Sequence, residues 1–100
     1  MNIQQMMAQA QKMQRQLKKA LTELASKQFI VTKGGAVNVV VLGNKTIKTI
    51  EIKNDAFNAD DKEMVEEMVV LAINEALANI QAEEEAINER ITGKSGGFGF

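Results

Sequence analysis

The first 25 residues carry a long apolar stripe at helical spacing, and this stripe restricts the possible folds more than any other feature. Its members alternate at intervals of three and four residues, the a/d pattern of a helix that packs along one side. Met7 and Leu21 widen the stripe, and no Pro or Gly occurs before Gly34. The pattern predicts a helix from about Ile3 to Ala25, roughly 35 Å long at ~1.5 Å per residue. The stripe consists of Ile3, Met6, Ala10, Met13, Leu17, Ala20 and Leu24.

Three β-prone segments follow this helix and are separated by two turn dipeptides. Gly34-Gly35 separates Phe29–Lys33 from Ala36–Leu42, and Gly43-Asn44 leads into Lys45–Lys53. Because Gly and Asn tolerate the positive φ of two-residue hairpin loops, the dipeptides predict an antiparallel meander with a defined register. Both faces of this sheet are partly apolar, so both require a cover. The register predicts one face of Ile30, Val37, Val39, Val41, Ile50 and Ile52, and an opposite face of Phe29, Val31, Val40, Leu42 and Ile47.

A second long helix is predicted after a loop at residues 54–59. Asp60, with Glu63 three residues later, has the spacing of a capping box at a helix start. Apolar residues then recur at helical spacing as far as Ile91, and residues 92–100 contain four of the seven glycines. The sequence therefore predicts an α+β fold of order α-β-β-β-α, with one domain over residues 1–92 and a flexible Gly-rich tail over residues 93–100.

The apolar stripe of the first helix also bears on the oligomeric state. It extends over about seven turns, which is more surface than a three-stranded sheet can cover. Self-association is the usual way to bury such a stripe, and a homodimer is the simplest closed form. We therefore expect a homodimer.

Charge is divided unequally between the two halves of the chain. Residues 1–54 contain nine Lys and Arg against two acids, a net charge of +7, whereas residues 55–100 have a net charge of −8. On a helical wheel, Lys12, Arg15 and Lys19 fall within about 60° of one another, opposite the apolar stripe, with Lys18 on the flank. A polyanion responds to such a local field, so this face is typical of contacts to duplex phosphates. A solvated helix face has the same pattern, and the residues alone leave both interpretations open.

The composition argues against several other functions. The chain contains no His, Cys, Tyr or Trp, so the usual general base, thiolate nucleophile and imidazole metal ligand are absent. An enzyme is therefore the least supported class. No apolar run approaches the ~20 residues of a membrane span, and the N-terminus lacks the pattern of a signal peptide, so we expect a cytoplasmic protein. The acid run Glu83-Glu84-Glu85 with Glu89 is interpreted as a solvated face that repels DNA.

The ordered motifs resemble those of the YbaB/EbfC family of bacterial nucleoid-associated proteins. Residues 6–14, MMAQAQKMQ, look like the family's N-terminal MMKQAQKMQ stretch, and residues 35–52 are similar to its Gly-led hairpin that ends in an I-x-I strand. Residues 60–67, DDKEMVEE, resemble its DDKEMLED helix start. Residues 73–77 are similar to its N-x-A core turn, and residues 91–93 to its TGG exit. The resemblance covers nearly the whole chain.

The resemblance implies a tweezer-like homodimer in the cytoplasm and nucleoid that binds double-stranded DNA and contributes to nucleoid organisation and gene regulation. It implies no catalytic activity, no cofactor, no metal, no membrane contact and no small-molecule substrate. In the matching N-terminal helix, Lys12, Arg15, Lys18 and Lys19 are the implied DNA-contact residues. The far ends of the helices are also implicated in the family, and this chain departs there, since Arg90 and Lys94 are its only late cations. The alternative function is that of a non-catalytic protein–protein adaptor that uses its apolar helical and sheet surfaces.

Overall fold

The computed structural model describes residues 2–93 and has the predicted element order, so the α+β class is confirmed. Two single-turn 3-10 helices, Asn54–Ala56 and Ala59–Asp61, connect the last strand to the second helix. The predicted tail starts at Gly93, and its remaining residues, 94–100, lie outside the described residues. The main elements are α1 (Ile3–Ser26), β1 (Gln28–Lys33), β2 (Val37–Leu42), β3 (Ile47–Ile52) and α2 (Lys62–Thr92).

The three strands form an antiparallel sheet of order β1-β2-β3, but the predicted register of the first hairpin is wrong. Gly34 and Gly35 have the expected positive φ values of 58° and 64°. Ala36, however, is a third loop residue, and its amide donates to the Lys33 carbonyl at 3.0 Å. Lys33 consequently pairs with Val37 instead of Ala36.

This shift of one residue changes which side chains of β1 share a face with β2. Phe29 pairs with Val41, and Val31 pairs with Val39. Since cross-strand partners lie on the same face, Phe29 and Val31 join the face of Val39 and Val41. Ile30 lies on the opposite face and is exposed. The face of Val39 and Val41 is thus more apolar than predicted, while the opposite face, with Ile30, Val40 and Leu42, is still partly apolar.

The second hairpin also has a longer loop than predicted. β3 begins at Ile47, and the positive φ, 70°, belongs to Lys45. Ile50 pairs with Val39, so its predicted face is confirmed. Ile47 is the cross-strand partner of Val41 because the ladder is irregular at that point, and its predicted place on the opposite face is wrong.

The core lies between α2 and the apolar face of the sheet. Ala72 and Ala76 let the α2 backbone approach the central strand closely, because their side chains are small. α2 is the helix that packs on the sheet. On the opposite face of the sheet, Ile30 is 61% exposed. The residues with 0% exposure are Val37, Val39, Val41, Ala72, Ala76 and Ile80.

α2 has a backbone cap at its C-terminal end, whereas its N-cap residue, Asp61, makes no side-chain capping hydrogen bond. The predicted capping box at Asp60 is wrong: the Asn58 side chain accepts a hydrogen bond from the Asp61 amide at 2.9 Å, and α2 begins one residue later. Gly93 ends the helix in the left-handed conformation, with φ of 73°, and its amide donates to the Glu89 carbonyl at 2.8 Å. The Gly93 contact satisfies a backbone carbonyl that a helix end leaves unpaired.

α1 is joined to the rest of the molecule near its C-terminal end. Leu24 is its one buried residue, and the Gly43 amide donates to the Lys27 carbonyl at 2.9 Å just beyond the helix. The backbones are so close there that a Cβ on Gly43 would overlap the Leu24 carbonyl oxygen. Residues 2–16 are all exposed except Met13, and the molecule is 69 Å long. α1 therefore presents most of its surface to solvent.

Candidate nucleic-acid interface

The basic residues of α1 occupy an exposed helix face. The Asn2 side chain caps the first turn, and the helix continues without interruption through the four predicted positions. Lys12, Arg15, Lys18 and Lys19 are all exposed, and none of them forms an ion pair with any residue of the described range 2–93. These cations are therefore available to an external anion. Their contact with DNA stays a prediction.

Other lysines of the basic half are held differently. Three of them, in or beside the sheet, reach carboxylates on α2, so their charges are neutralised within the chain. Lys48 and Lys53, on and just after the edge strand β3, are exposed without an ion pair inside residues 2–93. The three pairs are Lys27–Glu83 at 2.7 Å, Lys33–Glu75 at 2.9 Å and Lys45–Glu84 at 3.6 Å.

These contacts change the interpretation of the acid run on α2. Glu83 and Glu84 are half-buried and ion-paired, so the expectation of a simple solvated face is wrong for them. Glu85 and Glu89 are exposed and form no ion pair within the described part of the chain, as expected. The net charge of +7 calculated for residues 1–54 therefore overstates the charge that is free to act outside the molecule.

The two flanks of the basic face differ in chemistry. Lys18 borders a shallow apolar groove whose walls include Leu17 and Leu21. On the other flank, Lys19 lines a more polar groove together with Arg90 of α2. Arg90 is thus brought beside the α1 cations, although 71 positions separate it from Lys19 in the sequence. The sequence analysis missed this neighbour because only the packing of α2 against α1 creates it.

The N-terminal part of the apolar stripe of α1 is uncovered in the single chain. Ile3, Met6 and Met7 are 74%, 55% and 57% exposed, respectively. The stripe continues into the apolar groove beside Lys18. Monomeric proteins rarely leave such a contiguous apolar surface in water. The stripe and the basic face lie on different sides of the same helix, so a partner on the stripe would leave the cations accessible.

The described residues contain neither a group of three carboxylates that could hold a metal ion nor a helix with the length and apolar composition needed to cross a membrane. What α1 offers is a row of positive charges on a solvent-facing helix. Such a row can pair with a row of anionic groups at matching spacing, as on a phosphate backbone.

Comparisons with known proteins agree with this chemistry. Residues 1–95 match the model of the YbaB/EbfC DNA-binding family. A protein of Ruminiclostridium cellulolyticum named nucleoid-associated protein is 43% identical over 100 residues, which cover 97% of this chain and 85% of that protein. A nucleoid-associated protein of Metamycoplasma arthritidis is 38% identical over 95 residues, covering 95% of this chain and 99% of that one.

A solved structure supports the fold independently of close sequence similarity. The crystal structure of an uncharacterized protein from Helicobacter pylori superimposes with a TM-score of 0.76 at 16% sequence identity. The match covers 93% of this chain and 99% of the other. The family model and the relatives together establish the identity that the ordered motifs predicted: the chain belongs to the YbaB/EbfC DNA-binding family.

Proposed function

We propose that this protein is a nucleoid-associated protein that binds double-stranded DNA as a homodimer through the basic face of α1. The observation that carries the proposal is that Lys12, Arg15, Lys18 and Lys19 are exposed and unpaired within residues 2–93, whereas three lysines of the sheet region are held by α2. Membership of a DNA-binding family and the names of the relatives support the same function.

Binding is driven by phosphate contacts. Each Lys or Arg that pairs with a phosphate releases condensed counterions from the duplex, and this release supplies the free energy. Lys12, Arg15 and Lys19 lie along the helix on one side, so they can contact successive phosphates. Arg90 extends this group on the flank of Lys19. Contacts of this kind position the protein on DNA without reading the base sequence.

Base readout contributes little to binding. Exposed Gln11, Gln14 and Gln16 lie among the basic residues of α1 and have side chains suited to base edges, so they allow a mild sequence preference. A protein that binds phosphates with little sequence choice can occupy many sites on a chromosome. This behaviour suits nucleoid organisation and broad effects on gene regulation, and it requires neither catalysis nor a cofactor.

The homodimer forms through the apolar stripe of α1. Burial of Ile3, Met6 and Met7 removes apolar surface from water, and each such side chain contributes up to about 1.5–3 kcal/mol when fully buried. A symmetric dimer buries the stripe of both chains. It also presents two basic faces, which doubles the number of phosphate contacts that one particle can make.

Fluorescence anisotropy with a random-sequence duplex tests the proposal. We expect wild-type protein to bind at roughly 50 mM salt and to weaken progressively towards 200 mM, as phosphate contacts require. The Lys12→Ala/Arg15→Ala/Lys19→Ala variant should bind much more weakly while circular dichroism and sedimentation remain unchanged. Unchanged binding by this folded, dimeric variant would sink the proposal.

Absence of DNA binding by wild-type protein at the lowest salt would favour the adaptor function instead. The exposed apolar stripe would then serve a different protein. Recovery of one stoichiometric protein partner after nuclease treatment would support that alternative.

A further inference from the structure

The second half of α2 carries two consecutive acids that each hold a lysine from another part of the fold. Glu83 accepts from Lys27 at 2.7 Å, and Glu84 lies 3.6 Å from Lys45. Lys27 directly follows α1, and Lys45 lies in the loop between β2 and β3. Both side chains are more than half exposed, so external anions could reach them if the carboxylates were absent.

Both lysines lie at the end of the molecule where α1 meets the sheet. The amide of Gly43, at the start of the loop that carries Lys45, donates to the Lys27 carbonyl at 2.9 Å. Lys27, Glu83 and Arg90 line one groove, and Arg90 and Lys19 line the next. Glu23 of α1 lines both grooves, so one carboxylate lies among these cations whether or not Glu83 is present. The cations of α1 would therefore continue through Arg90 to Lys27 if Glu83 did not hold that lysine.

A lysine that is already paired with a carboxylate adds little to DNA binding. A phosphate must displace the tethered carboxylate, which competes at a high effective concentration because it belongs to the same chain. The exchange of one anion for another also releases few condensed counterions from the duplex. The displaced carboxylate would then lie close to the phosphate and repel it.

We propose that Glu83 and Glu84 act as intramolecular competitors of DNA phosphate, and that by holding Lys27 and Lys45 they keep these two lysines out of the surface that contacts the duplex. The inference rests on the proposed function and adds the residues that set the extent of the contact surface. It gives Glu83 and Glu84 the role of holding lysines, which acids on a uniformly solvated face would not have.

The salt dependence of duplex binding distinguishes this role from general charge repulsion. The Glu83→Gln/Glu84→Gln variant frees two lysines, so its slope of log affinity against log salt should steepen by up to about 1.8 for each chain engaged, at ~0.9 per phosphate contact. The control variant Glu85→Gln/Glu89→Gln removes the same charge from the same helix but breaks none of the observed ion pairs. It should leave the slope unchanged.

A second pair of substitutions tests whether Lys27 and Lys45 cause the steeper slope of the Glu83→Gln/Glu84→Gln variant. Lys27→Ala/Lys45→Ala should leave the slope of the otherwise wild-type protein unchanged, because these lysines are already occupied. The same substitutions should abolish the gain in the Glu83→Gln/Glu84→Gln background. Thermal unfolding of each variant verifies the fold.

Equal slopes for the two glutamine variants would overturn the inference, and so would a shallower slope for Lys27→Ala/Lys45→Ala alone. If Glu83→Gln/Glu84→Gln does not fold, the comparison of Lys27→Ala/Lys45→Ala with the wild type still tests the inference. Either result is compatible with DNA binding by α1. Failure of the proposed function would appear earlier, as absence of binding by the wild type or insensitivity to loss of the α1 cations.

Discussion

The division between paired and unpaired cations predicts that two variants with the same loss of charge will differ in DNA binding. The first variant, Lys12→Ala/Arg15→Ala/Lys19→Ala, removes three cations that are exposed and unpaired within residues 2–93. The second removes three cations that α2 carboxylates hold: Lys27→Ala/Lys33→Ala/Lys45→Ala. Both change the net charge by three, so any difference between them comes from the arrangement of the charges.

The magnitude follows from the number of phosphate contacts. With a slope of about 0.9 per contact, loss of three contacts makes the plot of log affinity against log salt shallower by about 2.7 for each chain engaged. When salt is raised from roughly 50 to 200 mM, the affinity of the wild type should therefore fall by a factor about 40 times larger than the affinity of the variant. We expect this change in the α1 variant and little change in the sheet variant.

Fluorescence anisotropy with one labelled random-sequence duplex at four or five salt concentrations measures both slopes. Circular dichroism and sedimentation show whether each variant keeps its fold and oligomeric state. Equal reductions of the slope in the two variants would refute the reasoning, because DNA would then respond to total charge and not to unpaired cations.

Three further predictions concern the fold and the assembly. Gly43→Ala should lower the free energy of unfolding by about 1–3 kcal/mol, because its Cβ overlaps a backbone carbonyl of α1, and urea unfolding measures this. Gly35→Ala serves as a comparison: its Cβ meets nothing within 4 Å, and its positive φ alone should cost about 1–2 kcal/mol. Ile80→Ala should cost about 2–5 kcal/mol in the same assay because Ile80 is fully buried, and a loss below 1 kcal/mol would contradict the described core. Met6→Gln/Met7→Gln should raise the dimer dissociation constant at least about tenfold in sedimentation equilibrium, and an unchanged constant would place the dimer interface elsewhere.

The first hairpin shows why local turn rules did not decide the register. Gly34-Gly35 marked the turn correctly, and both residues have positive φ. A two-residue loop, however, would turn Phe29 and Val31 away from α2 and turn only Ile30 towards it. The third loop residue reverses this arrangement and buries two large side chains in place of one, a gain of about 1.5–3 kcal/mol. Burial under α2 therefore decided the face, and it depends on a helix 30 or more positions away.

The start of α2 shows a similar limit at shorter range. Asp60 and Glu63 have the spacing of a capping box, but many sequences contain this spacing by chance. In the fold, Asn58 caps a 3-10 turn that precedes the helix. Two 3-10 turns follow β3 and place Asn58, instead of Asp60, at a helical start, and the Asp60–Glu63 spacing does not reveal these turns.

The sequence by itself determined the elements, their order and the family. Side-chain periodicity reports secondary structure because a helix and a strand repeat after 3.6 and 2 residues. The face formed by Lys12, Arg15 and Lys19 follows from the same geometry, since it involves only one helix.

Only the tertiary structure decided which cations are free. Lys27 and Glu83 are 56 positions apart, and Lys33 and Glu75 are 42 positions apart, so no local pattern pairs them. The packing of α2 on the sheet brings these charges within contact, and the packing of its last turns on α1 places Arg90 beside Lys19. Electrostatic interactions depend on distance in space, so the total charge of the basic half could be read from the chain, but the part of it that faces a ligand could not.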